Sequence, residues 1–575
     1  MKRICVALAL ICAATAAGAQ TMYDAINFSQ NNYAGTARSM AVGNAMTSIG
    51  GDLGAIVLNP AGSAVFNYSE VAFTPGLTIS SVASQYSNYG ETAYGPTDTN
   101  GSTRFTTPNA GVVLHFNTGS ASGLKGWSFS FLSSQSNNYQ SFYTASGINS
   151  LTSLAAERAA SSLAYSEDAL ANYSSFNNSN ISWDLLAGYQ GGLTGSVKEG
   201  YYVGDNELVV EDEIGLYNYV PGQLRQTANV RRYGTKNDVI FNGGLNFNDK
   251  IYVGFTMGVP IARYRYSEGF TEAAVDPGQF PVDFYKTKRE VVSTYFSHNV
   301  TDYSYAANID GIYGKIGIIA LPVKGLRLGV AFQTPTAFTI SETWSYSASS
   351  YFEDSAFNAS VSSPVGEYTY CLRSPYTVDA GISYTFGPYG FISLDYELMD
   401  YSVMKFSMRH DSGYASGDDY FPELNNTNKN FCGLSHTFRV GAEVKVTPQF
   451  ALRAGYNLIT NPECHWTNNN GQNVTCDDYM ANYDSYRSGK LQLVNRMYYQ
   501  ENVSSISFGA GYSSPGSFFM DIAARRTSYP ASVYAPYYDY YGFTPDGETF
   551  DEFQAPRVKS TRNFWNVSLT FGWRF

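Results

Sequence analysis

The chain reads as an all-β protein: a fourteen-stranded antiparallel transmembrane β-barrel with an N-terminal hatch inside the lumen and long extracellular loops. Three observations predict this. First, the residues Trp565 to Phe575 alternate strictly. Trp565, Val567, Leu569, Phe571, Trp573 and Phe575 are large and apolar, while Asn566, Ser568, Thr570, Gly572 and Arg574 are small or polar. A strand sends successive side chains to opposite faces, so one face suits hydrocarbon and the other water. Second, aromatic residues make up 16% of the chain and charged residues only 15%, whereas soluble domains carry roughly 25% charge. Barrels set Tyr, Phe and Trp in girdles at both membrane interfaces. Third, the N-terminus reads as an export signal over residues 1–19. Lys2 and Arg3 precede the apolar run Ile4 to Ala14, which is too short to span a bilayer, and Ala17-Gly18-Ala19 is a small-residue cleavage site.

The same two-residue rhythm marks the strands in order. Val239 to Phe247 is followed, after the Asn248-Asp249-Lys250 turn, by Ile251 to Val259. Leu326 to Phe332, Val378 to Phe386, Ile392 to Leu398, His436 to Val446, Phe450 to Leu458, Ile506 to Tyr512 and Phe518 to Ala524 continue it. The predicted strands are 70–82, 104–117, 124–134, 236–247, 251–265, 306–320, 326–345, 376–386, 390–407, 434–446, 450–460, 501–513, 518–529 and 562–575. One end of the hairpins has tight turns. The other has polar, Tyr/Asn/Ser-rich loops at 83–103, 135–235, 266–305, 346–375, 408–433, 461–500 and 530–561. Short periplasmic turns and long outer loops are the outer-membrane arrangement. The large loop 135–235 has room for one more hairpin, near Trp183 to Tyr189, which would make sixteen strands. Within it, Ser150 to Tyr173 has helical spacing.

Residues 20–69 are rich in Gly, Ala, Ser and Met and poor in bulky β-formers. They precede the first strand, and a fourteen-stranded lumen is too wide for wall side chains to fill. A plug inside the barrel, with the barrel proper over 70–575, is the economical use for them.

Ala34 to Gly62 reads AGTARSMAVGNAMTSIGGDLGAIVLNPAG and resembles the hatch of the FadL-type long-chain fatty-acid transporter family, with Asn59, Pro60 and Ala61 similar to its hatch motif. GVAFQTPTAF at Gly329 to Phe338, SLDYELMDYS at Ser393 to Ser402 and RVGAEVKVTPQFALRAGY at Arg439 to Tyr456 also resemble that family. The resemblance implies a plugged barrel that admits a hydrophobic molecule from outside and releases it sideways, through a wall opening made by a strand kink. Ser133 to Ser136 is where that kink is expected.

Candidate site residues follow from this reading. Asn59, Pro60 and Ala61 position the hatch. Arg38 and Asp52 are a candidate ion pair within it. Arg327, Arg439, Lys445 and Arg453 fall in the inward phase and are candidates for meeting a ligand carboxylate, although lumen charges ordinarily pair with neighbours such as Glu443. Cys371, Cys432, Cys464 and Cys476 are all placed in outer loops, in an oxidising compartment. A Cys464–Cys476 bridge within one loop and a Cys371–Cys432 bridge between loops are the expected disulfides.

No metal site and no cofactor is expected. The five histidines (His115, His298, His410, His436 and His465) are scattered, no Gly-x-Ser-x-Gly or phosphate-cradling stretch occurs, and an enzyme is not expected. A net charge of −12 argues against nucleic acid. The expected partners are a fatty-acid-like hydrophobic small molecule and outer-membrane lipid, with a monomeric barrel in the bacterial outer membrane. A hemin or hydrophobic-ligand receptor and a surface adhesin are the alternatives on the same barrel.

Overall fold

A computed structural model describes residues 21–575, apart from 88–93, 212–214, 288–289, 410–420, 463–465, 468–472, 475–501, 545–546 and 548. The export signal, Cys464, Cys476, His410 and His465 lie outside the described residues.

Fourteen wall strands close on themselves: β1 Glu70–Ser87, β2 Thr97–Asn117, β3 Leu124–Asn138 (resuming at Ser141–Asn149), β4 Leu224–Phe247, β5 Ile251–Ala274, β6 Glu290–Val323, β7 Leu326–Gln333 (resuming at Ala337–Phe352), β8 Gly366–Arg373 with Thr377–Thr385, β9 Gly390–Asp400 with Lys405–Met408, β10 Leu434–Lys445, β11 Phe450–Ile459, β12 Val503–Ser513, β13 Phe518–Tyr534 and β14 Arg557–Arg574. Each pairs antiparallel with the next. β14 returns to β1 from Glu70↔Arg574 to Ser87↔Arg557. The turn between β4 and β5 has Asn248 and Asp249 at φ 57° and 58°, the left-handed pair a tight hairpin requires.

The predicted alternation is the inside–outside pattern of this wall. Val71, Phe73, Leu77 and Ile79 on β1, Phe255 and Met257 on β5, and Val330 and Phe332 on β7 point outward and are exposed. Together with their neighbours they make an apolar belt around the barrel, which hydrocarbon covers. The inward positions between them are polar or small.

Every strand starts or ends close to its expected place at the short-turn end. At the other end the strands run on. β5 has 24 residues and β6 has 34, whereas about 9–11 cross a bilayer. Much of the expected loop sequence is therefore wall standing above the membrane. Out there the lipid face no longer demands apolar residues, so the alternation fades while the pairing continues.

The segment 150–220 is not a strand hairpin. Helices α4 Leu154–Ser162, α5 Glu167–Ala171, α6 Ser175–Asn178 and α7 Trp183–Gln190 occupy it, with two small hairpins after them. Trp183 to Tyr189 is helix, so the sixteen-strand alternative falls. These helices bury Leu154, Leu170, Phe176 and Leu186 against inward residues from around the wall, among them Tyr86, Tyr143, Val230, Phe270 and Val558. They form a cap seated in the mouth.

Two cap carboxyls are held by neutral donors. Asp205 accepts from Ser350 Oγ at 2.6 Å and Asn299 Nδ2 at 3.1 Å, and Glu207 accepts from the Gly204 N–H at 2.7 Å. Burial pushes Glu207 up to about 7 and Asp205 well above the carboxylate range. A raised folded-state value favours the protonated group. Its contribution is present below the ordinary carboxylate range and is lost as pH rises through about 7 for Glu207. Protease cleavage within 150–220 is expected to accelerate between mildly acidic and mildly alkaline pH, and Glu207→Gln is expected to flatten that rise.

Candidate functional site

The hatch threads the lumen as α1 Met22–Ser29, α2 Ala37–Ala41, α3 Leu53–Leu58 and a 3-10 turn Pro60–Val65. The ends are capped by side chains: Thr21 and Asp24 form a capping box on α1, Thr36 caps α2, Asp52 caps α3 and Asn59 caps the last turn. The small residues of this segment let backbone meet wall. Inward glycines mark where it touches: Gly254 faces the Pro60 backbone, Gly317 the Asn59 side chain, Gly329 the Thr47 carbonyl and Gly455 the Gly43 N–H.

Asn59 is fully buried. Its Nδ2 donates to the Thr47 carbonyl at 2.8 Å and to the Ile318 carbonyl of β6 at 3.2 Å, and its Oδ1 accepts from the Ala61 N–H at 3.0 Å. Pro60 opens the 3-10 turn, and its carbonyl accepts from Asn242 of β4 at 3.1 Å. The Asn-Pro-Ala triplet is thus where the hatch is tied to the wall. Asn59→Ala removes a cap and strands buried carbonyls, at a cost of about 1–3 kcal/mol. Faster amide exchange confined to the hatch is the expected readout.

Wall cations grip the hatch backbone as well. Lys236 donates to the Phe28 and Gln30 carbonyls at 2.9 and 2.6 Å, Lys315 to Val57 at 3.3 Å, Arg327 to Ile49 at 2.5 Å and Arg525 to Tyr33 at 2.8 Å. The candidate pair of Arg38 with Asp52 is not what forms. Arg38 reaches Glu443 of β10 at 2.8 Å, while Asp52 accepts from Thr36 Oγ1 at 2.7 Å and the Gly54 N–H at 2.8 Å. Capping α3 turns that carboxylate away from the guanidinium.

The four carboxylate candidates have other work. Arg439 lies between Glu397 at 2.7 Å and Asp379 at 3.8 Å. Arg453 bridges Glu443 and Asp521, each at 2.6 Å. Arg327 is on the hatch, and Lys445 is exposed at the short-turn end of β10. Cys371 and Cys432 are free thiols. Cys371 sits in β8 between the buried, inward Tyr370 and Leu372, and Cys432 is buried in the lumen cluster. The alternation puts them on opposite faces of the wall, so the expected bridge cannot form.

Among the described residues, the wall has one long discontinuity between neighbours. β2 and β3 pair from Asn117↔Gly126 up to Asn109↔Ser134 and no further. Above that level β2 runs on to Thr97 paired with β1 alone. β3 bends inward instead: Ser134, Gln135, Ser136 and Asn137 are all buried, where alternation would expose every second one. The bend falls on the expected Ser133–Ser136 stretch. The hatch receives it, with the Ala34 N–H donating to Gln135 at 3.0 Å and the Asn32 N–H to Ser136 at 2.7 Å. The resulting slot begins within the apolar belt, because Asn109 pairs with Thr74 of β1 between the belt residues Phe73 and Leu77, and Phe105 beside Leu77 is 69% exposed.

Inside the slot, beside the hatch, is a small cavity bordered by Asn31, Asn32, Asn138, Tyr139, Tyr529 and Arg562. Arg562 lies over the Tyr529 ring at 3.9 Å. None of the four carboxylate candidates borders it; its cations are Arg232 and Arg562. The sequence reading missed these two arginines, because both lie above the stretches where alternation is regular. The wall glycines facing the hatch were visible in the inward phase of the counted strands.

A closed, even-stranded barrel with a lipid-facing belt, tight turns at one end and a plugged lumen is the architecture of a bacterial outer-membrane barrel. No protein-family model and no curated protein sequence matches this chain. Among solved structures it is similar to a Pseudomonas aeruginosa FadL homologue, at 12% identity and TM-score 0.44 over 94% of this chain and 98% of that one. It is likewise similar to the CymD monoaromatic hydrocarbon channel, at 11% identity and TM-score 0.42 over 95% and 99%. The Pseudomonas putida toluene transporter TodX is similar at 10% identity and TM-score 0.41 over 95% and 100%.

Proposed function

We propose that this protein takes up long-chain fatty acids or similar hydrophobic small molecules across the outer membrane, and that they leave sideways through the slot between β2 and β3. The slot carries this reading. It starts at Asn109 and Ser134, within the belt that lipid covers, and it adjoins the lumen cavity. A hatch tied to the wall at Asn59, Lys236 and Arg525 opposes straight passage below. An apolar molecule has good reason to take the side route, since each methylene moved from water to hydrocarbon gains about 0.8 kcal/mol.

The test is reconstitution into vesicles with labelled oleate, an alkane, a monoaromatic and hemin offered separately. Uptake of oleate, the alkane or the monoaromatic faster than into empty vesicles is the expected result. No acceleration of any of them overturns the reading, and acceleration of hemin alone replaces it with the receptor alternative.

A further inference from the structure

We propose that the lumen cavity beside the slot is a head-group site, and that among the hydrophobic molecules able to use the side route it prefers an amphiphile bearing several hydroxyl or amide groups to a bare hydrocarbon or plain acyl chain. This rests on the side route above, because the amphiphile's tail must have lipid to lie in. Six carboxamides border the cavity: Asn27, Gln30, Asn31 and Asn32 from the hatch, and Asn137 and Asn138 from the bend in β3. Such a density of neutral donors and acceptors suits a polar head group better than an alkyl end.

Asn137 and Asn138 are engaged through both nitrogen and oxygen, but bonding capacity is left over elsewhere. Asn32 Nδ2 donates to Tyr529 Oη at 3.0 Å, but Asn32 Oδ1 is buried with no partner. Tyr139 is 5% exposed and its hydroxyl also has no partner, while its ring packs edge-on to Tyr264 at 5.2 Å. A carboxamide has two donors and two acceptor lone pairs. An alkyl chain filling the cavity would expel water from these groups and return nothing, at about 1–3 kcal/mol for each one left unpaired. A polyol or amide head group replaces that water bond for bond, and the rings of Tyr139, Tyr264 and Tyr401 in the lining suit its flat, C–H-rich side.

The placement gives the ligand a direction. Asn138 Nδ2 reaches Thr78 Oγ1 of β1 at 3.5 Å, and two residues further on Gln140 donates to Ser102 Oγ on the free edge of β2, so the amide cluster lies beside the rim of the slot. A head group held there leaves its tail pointing through the slot into the lipid.

The experiment compares three probes with the same fluorophore-labelled twelve-carbon chain, ending in a glucoside, a carboxylate or a methyl group. Binding to the full-length mature protein in amphipol is read by fluorescence anisotropy. The glucoside is expected to bind at least tenfold more tightly than either of the others. Asn31→Leu with Asn138→Leu is expected to abolish that preference. Should the double variant misfold, Tyr139→Phe, which deletes one hydroxyl, is expected to weaken the glucoside more than the methyl probe. Equal or tighter binding of the methyl or carboxylate probe by the native protein overturns the proposal. Uptake of the methyl probe into vesicles without head-group preference would leave the side route standing and remove this site. Glucoside preference without uptake of any probe would do the reverse.

Discussion

Tethering β2 to the bend of β3 is expected to stop uptake completely, and cutting the tether to restore it. Gln140, just past the bend, donates through Nε2 to Ser102 Oγ of β2, so the two side chains already meet across the slot. Replacing both, as Ser102→Cys and Gln140→Cys in a cysteine-free background, places two thiols on opposite rims. A short bis-methanethiosulfonate linker would join them and bar anything wider than its own chain. Because the slot is a gap in pairing above Asn109↔Ser134, and not a groove on an intact wall, the tether blocks it without disturbing a ladder. Oleate uptake in vesicles should fall to the empty-vesicle rate, and a reductant should bring it back. Uptake that continues through the tether would show that cargo leaves elsewhere.

The second large effect concerns the hatch. A side chain at Gly254 would put its Cβ 2.2 Å from the Pro60 carbonyl carbon and 2.4 Å from the Ala61 nitrogen; at Gly455 it would lie 2.1 Å from the Gly43 nitrogen. These are backbone atoms on both sides, so neither can swing away. Overpacking a close contact costs about 1–3 kcal/mol or more, and leucine brings three further carbons. Gly254→Leu and Gly455→Leu are therefore expected to expel the hatch while the wall, held by its own ladders, stays closed. Planar-bilayer recordings should show a large, steady ion conductance in place of a silent barrel. Gly195→Leu, in a cap hairpin with nothing within 4 Å of its added Cβ, should remain silent. Equal behaviour of all three variants would refute the close-contact account.

These predictions rest on features that the sequence showed unequally. The bend at Ser133–Ser136 lies where a kink was anticipated, but its meaning depends on β2 stopping its partnership at the same height. That is a relation between two strands, which no single strand's pattern carries. Arg439 and Arg453 lie in the inward phase as expected, yet each is already paired with carboxylate neighbours. Cys371 was assigned to a loop because the outer parts of strands are rich in Tyr and Ser and look like loops. It lies in a strand, on the far face from Cys432.

The two-residue rhythm determined most of the wall by itself: fourteen strands, their lipid face and the end with tight turns, while the helix at Trp183–Gln190 decided that the large loop adds no further pair. Each strand must satisfy lipid outside and polar lumen inside, and that demand is written residue by residue. Which wall cation grips which hatch carbonyl, where the ladder parts and what lines the cavity were decided only in three dimensions. Those contacts join residues hundreds of positions apart, as Arg525 joins Tyr33, and their geometry follows from the height at which strands and hatch come to rest against one another.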